Sequence, residues 1–109
     1  MLERLRRMLS AEPDPQRAGP DPAAPHTLVL YQFASCPYCQ RVLRRLPDLG
    51  LEVQLRDTQR DRAAAADLRA ATGGSQVPCL FIDGVPMLES ADILAFLEAH
   101  AAARRAAGR

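Results

Sequence analysis

The run Thr27-Leu28-Val29-Leu30-Tyr31-Gln32-Phe33 constrains this chain more than any other feature. Strand formers follow one another without polar alternation, as in a central strand covered on both faces. Such a strand needs helices on two sides, and the next residues supply them. After Ala34-Ser35 a helix is expected from Cys36, with Pro37 in its first turn, where a missing N–H costs nothing. It presents Val42, Leu43 and Leu46 and stops near Pro47-Asp48-Leu49-Gly50. Residues 51–56 alternate Leu51, Val53 and Leu55 with Glu52, Gln54 and Arg56, the pattern of a half-buried strand.

A second helix, capped by Thr58 or Asp61, runs through Ala63-Ala64-Ala65-Ala66 and Leu68 to Gly73-Gly74. Residues 77–82 form another apolar strand, and Asp83-Gly84 is a two-residue hairpin signal. Residues 85–88 return, with Pro86 marking an edge strand. Ser90 is expected to cap a last helix that continues to about Ala103, with Ile93, Leu94 and Leu97 inward. Phe96 and Leu88 close the end of the core. A right-handed strand–helix–strand crossover makes the first pair parallel, and the hairpin adds two strands antiparallel to it. The result is a small three-layer α/β sandwich.

The first 25 residues stand apart. Residues 1–10 suit a short basic amphipathic helix with Leu2, Leu5, Met8 and Leu9 on one side, marginal in isolation at that length. Its functional reading is a docking element for a membrane surface or partner, and the plainer one is a frayed tail. Residues 11–25 hold five of the nine prolines and run as an extended linker. The folded domain is placed at residues 26–104, with 105–109 as a fraying tail. His26 and His100 are expected at its ends, facing solvent.

Composition excludes several classes. With 109 residues there is room for one domain, and no stretch approaches the ~18 consecutive apolar residues of a membrane span. A net charge of +1 offers no basic excess to displace counterions, so no nucleic-acid partner is expected. All 14 basic residues are Arg, which with abundant Ala reflects GC-rich codon usage. Three cysteines, an odd number, argue against a secreted disulfide scaffold. No apolar segment follows the charged opening to form a signal peptide, so the expected location is the reducing cytoplasm.

The cysteines carry the chemistry. Ser35-Cys36-Pro37-Tyr38-Cys39 lies where the buried strand hands over to a helix, which puts Cys36 at the N-cap. Unsatisfied backbone N–H groups and the positive end of the helix dipole favour a thiolate there, so its pKa is expected well below the ~8.5 of free cysteine. Arg41 adds to the positive field. Cys39, one turn on and more buried, is the resolving partner of the attacking Cys36. Zinc is the competing use, since Cys36 and Cys39 make half a tetrahedral site that Cys79 with His26 or His100 could extend. However, no second close-spaced pair exists, and Pro at a helix start suits a redox pair better; no metal is expected.

Residues 30–39, Leu-Tyr-Gln-Phe-Ala-Ser-Cys-Pro-Tyr-Cys, with Val77-Pro78 before a strand and Asp83-Gly84 after it, resemble glutaredoxin over about residues 27–100. The resemblance implies a thioredoxin-like βαβαββα sandwich, a four-stranded mixed sheet flanked by three helices. It also implies glutathione-dependent thiol–disulfide exchange with Cys36 as nucleophile and Cys39 as resolving thiol. By the same resemblance Pro78 follows a cis bond, the Val77 backbone pairs with the cysteinyl part of glutathione, and Tyr38 lines the glutathione groove. Residues 85–93 are similar to the Glu-Ser pattern of the glutathione-transferase N-terminal domain, which gives Glu89 and Ser90 the γ-glutamyl end. Elementary chemistry agrees, because a helix start with a hydroxyl suits a carboxylate and Glu89 suits an ammonium.

Two positions depart from the pattern. Phe33 stands where many glutaredoxins carry Lys, and Gly74 where a basic residue is frequent. Arg60 or Arg62 is available for the glycyl carboxylate, though each equally suits a solvated helix face. Cys79, directly after Pro78, is a small core residue or a third thiol open to glutathionylation. The implied partners are glutathione and glutathionylated or disulfide-containing proteins, met by a monomer. Two further readings are an iron–sulfur carrier, with Cys36 from two chains and two glutathiones, and a glutathione-binding module with little turnover.

Overall fold

A computed structural model describes residues 19–108. The amphipathic helix expected over residues 1–10 lies outside them. Strand β1 (Leu28–Gln32) is followed by helix α1 (Pro37–Leu49), β2 (Gln54–Asp57), α2 (Arg62–Thr72), β3 (Cys79–Ile82), β4 (Val85–Met87) and α3 (Ser90–Ala107). The sheet order is β2-β1-β3-β4, so the apolar run is central. β2 is parallel to β1, with Leu30 beside Leu55, and β3 is antiparallel to β1, with Leu30 beside Leu80. β4 is antiparallel to β3. Only β3 therefore opposes β1, and β4 runs in the same sense as β1, because a hairpin must reverse direction.

The alternation within β1 and β3 divides the interior in two. Leu28, Leu30, Leu80 and Ile82 face α1 and α3, packing with Val42, Leu49, Ile93, Phe96, Leu97 and Ala101. Tyr31 and Cys79 face the other way and pack with Ala64 and Leu68 of α2. Apolar burial on both faces is the main source of stability for such a sandwich. Polar contacts fix the layers. Arg45 of α1 donates from Nε to Glu98 of α3 at 2.6 Å. Arg56 of β2 donates to the Tyr31 hydroxyl at 2.9 Å and to Asp67 of α2 at 2.5 Å.

Local signals set most boundaries. Gly50, at φ 64°, ends α1 in the left-handed conformation that glycine adopts without a Cβ penalty. The Asp61 carboxylate accepts from Ala63 and Ala64 N–H, so Asp61 rather than Thr58 caps α2. Several expectations need correction. Leu55 is about half exposed rather than inward: it shares the face of Leu30, but β2 is the edge strand. Glu89, not Ser90, is the N-cap of α3, and Ser90 is its first residue. α3 continues to Ala107, past the expected end near Ala103 and into the residues expected as a tail. Neither histidine faces solvent as expected: His100 is buried, and His26 is half-buried with its side chain only 7% exposed.

Candidate active site

The site forms where β1 ends. The chain turns through Phe33 to Cys36, closed by a bond from Cys36 N–H to Phe33 C=O at 3.2 Å, and α1 begins at once with Pro37. Cys36 is the N-cap with extended backbone, and its side chain makes no capping bond. Its Sγ is thus left to face the helix N-terminus, a positive site. Gln40 steadies the turn, its side-chain amide donating to Ala34 C=O at 2.9 Å. Arg41, expected to add to the field, is exposed.

One turn on, Cys39 is fully buried. Burial pushes its thiol up to about 12, the neighbouring Cys36 adds to the rise, and a backbone bond at Phe33 opposes it. The two cysteines are therefore unequal. Cys36 is half-buried and reachable, whereas Cys39 is sealed and protonated. Cys79 is also fully buried, in the cluster with Tyr31, Ala64 and Leu68, and its thiol is pushed up to about 11, chiefly by burial. The core reading of Cys79 is the one its surroundings fit.

Across from Cys36 lies the loop ahead of β3. The Val77–Pro78 bond is cis, and Cys36 Sγ sits 4.0 Å from Val77 C=O, at the outer limit for a thiol donor. Among the described residues the N–H and C=O of Val77 bond to no other main-chain group. Half-buried backbone groups left unpaired beside a sulfur form a short strand edge, able to accept an extended peptide. Tyr38 is 61% exposed on the adjoining surface.

The start of α3 connects to this loop. Gln76, next to Val77, donates from its side chain to Glu89 at 3.5 Å. Glu89 has φ 73° and ψ 112°, a sparsely populated conformation for a residue with a Cβ. The first helical bond of α3 runs from Ile93 N–H to Glu89 C=O, which leaves the N–H groups of residues 90–92 outside the ladder. Hence the structure groups Cys36, Cys39, Val77 and Pro78, and joins Glu89 and Ser90 to them through Gln76. Arg60 and Arg62 are exposed at the start of α2.

The zinc set is not assembled. The cysteine pair follows the C-terminal end of β1, while His26 and His100 lie at its N-terminal end. Among the described residues no group of three or more His, Cys, Asp or Glu could hold a metal ion. No described helix is long and apolar enough to cross a membrane. Sequence reasoning missed the histidine cluster, although the register contained a signal for it. Leu28 beside Ile82 puts Thr27 opposite Asp83 and brings His26 to the hairpin turn.

A mixed four-stranded sheet with a cysteine pair starting the helix after its central strand, opposite a cis X-Pro, defines the thioredoxin-like class. Within it, the chain belongs to the family of the glutathione S-transferase N-terminal domain, whose model matches residues 30–105. Solved structures agree on the fold. A thioredoxin-like protein is similar at 24% identity and TM-score 0.57, over 65% of this chain and 99% of its own. Wheat glutaredoxin is similar at 24% identity and TM-score 0.53, over 67% of this chain and 72% of its own. Buckwheat glutaredoxin, solved as a glutathione complex, is similar at 27% identity and TM-score 0.53, over 64% of this chain and 66% of its own. No curated protein matches the sequence significantly.

Proposed function

We propose that this protein is a glutathione-dependent thiol–disulfide oxidoreductase. The observation that carries the reading is the reachable Cys36 sulfur 4.0 Å from the unpaired backbone of Val77. The Cys36 thiolate attacks the glutathione sulfur of a mixed disulfide. The S–S bond breaks, the other thiol leaves with its electron pair and takes up a proton, and Cys36 is left joined to glutathione. Thiolate from a second glutathione then attacks the glutathione sulfur of that adduct. Oxidised glutathione departs and Cys36 regains its thiolate. The net change converts one mixed disulfide and one reduced glutathione into the freed thiol and oxidised glutathione.

The surroundings support each role. Neither the Cys36 thiolate nor the adduct has a hydrogen to offer Val77 C=O, which leaves that carbonyl for the cysteinyl N–H of glutathione. The free N–H groups at the start of α3 suit the γ-glutamyl carboxylate, and Glu89 suits its ammonium. Tyr38 offers one wall of the groove. Cys39, one turn along α1 and held protonated chiefly by burial, is placed to close on Cys36 after the first step, as a protein disulfide substrate requires. The likeness to a glutaredoxin solved with glutathione points the same way. The reaction needs a pool of reduced glutathione, so we place the protein in the cytoplasm, acting as a monomer on glutathionylated or disulfide-bonded proteins.

The test is turnover of a glutathione mixed disulfide with reduced glutathione by wild type, Cys36→Ser and Cys39→Ser. Activity in wild type and Cys39→Ser with none in Cys36→Ser is expected. A folded wild-type protein without turnover overturns the assignment.

A further inference from the structure

The pole of the sheet opposite Cys36 holds a polar cluster, about the buried His100, that the thiol chemistry does not use. His26 precedes β1, and both of its ring nitrogens face acceptors. Nδ1 lies 2.6 Å from Asp83 Oδ2 in the β3–β4 turn, and Nε2 lies 2.5 Å from the backbone C=O of Asp21. A carbonyl oxygen only accepts, and an ionised carboxylate only accepts. Satisfying both requires two ring N–H groups, so the geometry selects the imidazolium beside a carboxylate. The other Asp83 oxygen accepts from Thr27 N–H at 2.8 Å, so its bonds favour the ionised form.

His100, from α3, completes the arrangement. Its Nδ1 donates to Pro22 C=O at 2.7 Å. The His26 ring meets Phe96 edge-on with centroids 5.6 Å apart, and His100 at 5.4 Å. Residues 21–25 therefore cross the end of the sheet as a strap held by two histidines, one bond at each of two successive carbonyls. Beside the two histidines is a recess of about 300 Å³, lined by Pro25 at the end of the strap and, among others, by Glu52, His100 and Arg104.

We propose that His26, Asp83 and His100 form a proton-controlled clasp, which holds this strap against the end of the sheet and lets it go when His26 loses its proton. Neutral His26 has one N–H and must give up either Asp83, which then keeps only Thr27 N–H, or Asp21 C=O, which then keeps only the bond from Ala24 N–H at 3.2 Å within the strap. The strap is attached by few contacts, so losing one matters. The charged and titratable groups facing His26 are Asp83 from the turn, Asp21 from the strap and His100 from α3, with Glu52 and Arg104 across the recess.

The titration directions fit this arrangement. The Asp83 carboxylate, first of all, and the Asp21 carbonyl hold His26 above its ordinary 6.5, and His26 and Thr27 N–H hold Asp83 below the usual carboxylate value. A raised histidine pKa stabilises the closed form fully below the free value, and that stabilisation is lost as pH rises through the bound value. A lowered carboxylate pKa acts at the other side and is lost as pH falls through it. The clasp is closed between the two.

The experiment is ¹⁵N NMR of the whole protein across His26's titration, following its ring nitrogens and the exchange of the Ala24 and Thr27 amides. Expected are two protonated His26 nitrogens at neutral pH and amide protection that falls about tenfold or more as the ring deprotonates, after correction for base-catalysed exchange. Asp83→Asn, which keeps the turn because Asn tolerates positive φ, should lower the His26 midpoint. His26→Gln should make the strap's protection independent of pH. An unprotonated His26 nitrogen at neutral pH, or protection unchanged through the titration, overturns the clasp. Neither readout depends on thiol turnover, so this inference and the catalytic one fail separately.

Discussion

The two cysteines of one motif differ because their environments differ. Cys36 owes its reach to the N-cap position, where the backbone is extended and the side chain is not committed to capping. Cys39 is one turn deeper and fully buried, and its thiol is pushed up to about 12. Cys79 is raised to about 11 in the second cluster. A thiol raised this far stays protonated at neutral pH, and a buried one does not meet reagent. Brief alkylation of the native reduced protein at neutral pH should therefore add one label, on Cys36, and three after denaturation. Mass spectrometry of the products checks both numbers; native labelling of Cys79 ahead of Cys36 would contradict the burial pattern. Glu89 is the other unusual residue. Its φ of 73° suits glycine better, so Glu89→Gly should relax the backbone while weakening glutathione binding, a loss readable by calorimetric titration.

At the scale of elements, short-range signals were reliable. The unbroken apolar run became the central strand, Pro37 marked the first residue of α1, and Asp83-Gly84 made the hairpin turn. What sequence missed depends on partners distant in the chain. Leu55 alternates correctly but lies on an edge strand, so half of it stays in water. The end of α3 looked like a fraying tail, since alanine and arginine give no packing signal, yet Ala101 is buried against the core and helix continues beyond it. Glu89 capping α3 in place of Ser90 reflects an unusual backbone angle that no propensity encodes. The cap of α2 gives a direct test. Asp61→Ala removes bonds at 2.9 and 3.2 Å to Ala63 and Ala64 N–H. A loss of about 1 kcal/mol in urea unfolding is expected, with the redox pair untouched.

The whole molecule is two unequal cores on either side of one sheet. The larger unites α1 and α3, and Leu97 is fully buried within it. Leu97→Ala should cost about 2–5 kcal/mol by urea unfolding, much of a small domain's stability. The resemblance of the cysteine segment to glutaredoxin captured the fold and the grouping of Cys36, Cys39, Val77 and Pro78. It was silent on the histidine pole, because that cluster is built from a linker residue, a hairpin turn and a late helix. The five residues of β1 also separate those two ends. A strand of that length spans ~17 Å, about twice the ~8 Å over which salt screens a charge. A proton gained or lost at His26 is therefore muffled before it reaches the sulfur. The strand works as an insulator as well as a scaffold, and a reporter or tether grafted ahead of residue 21 should leave redox turnover unaltered.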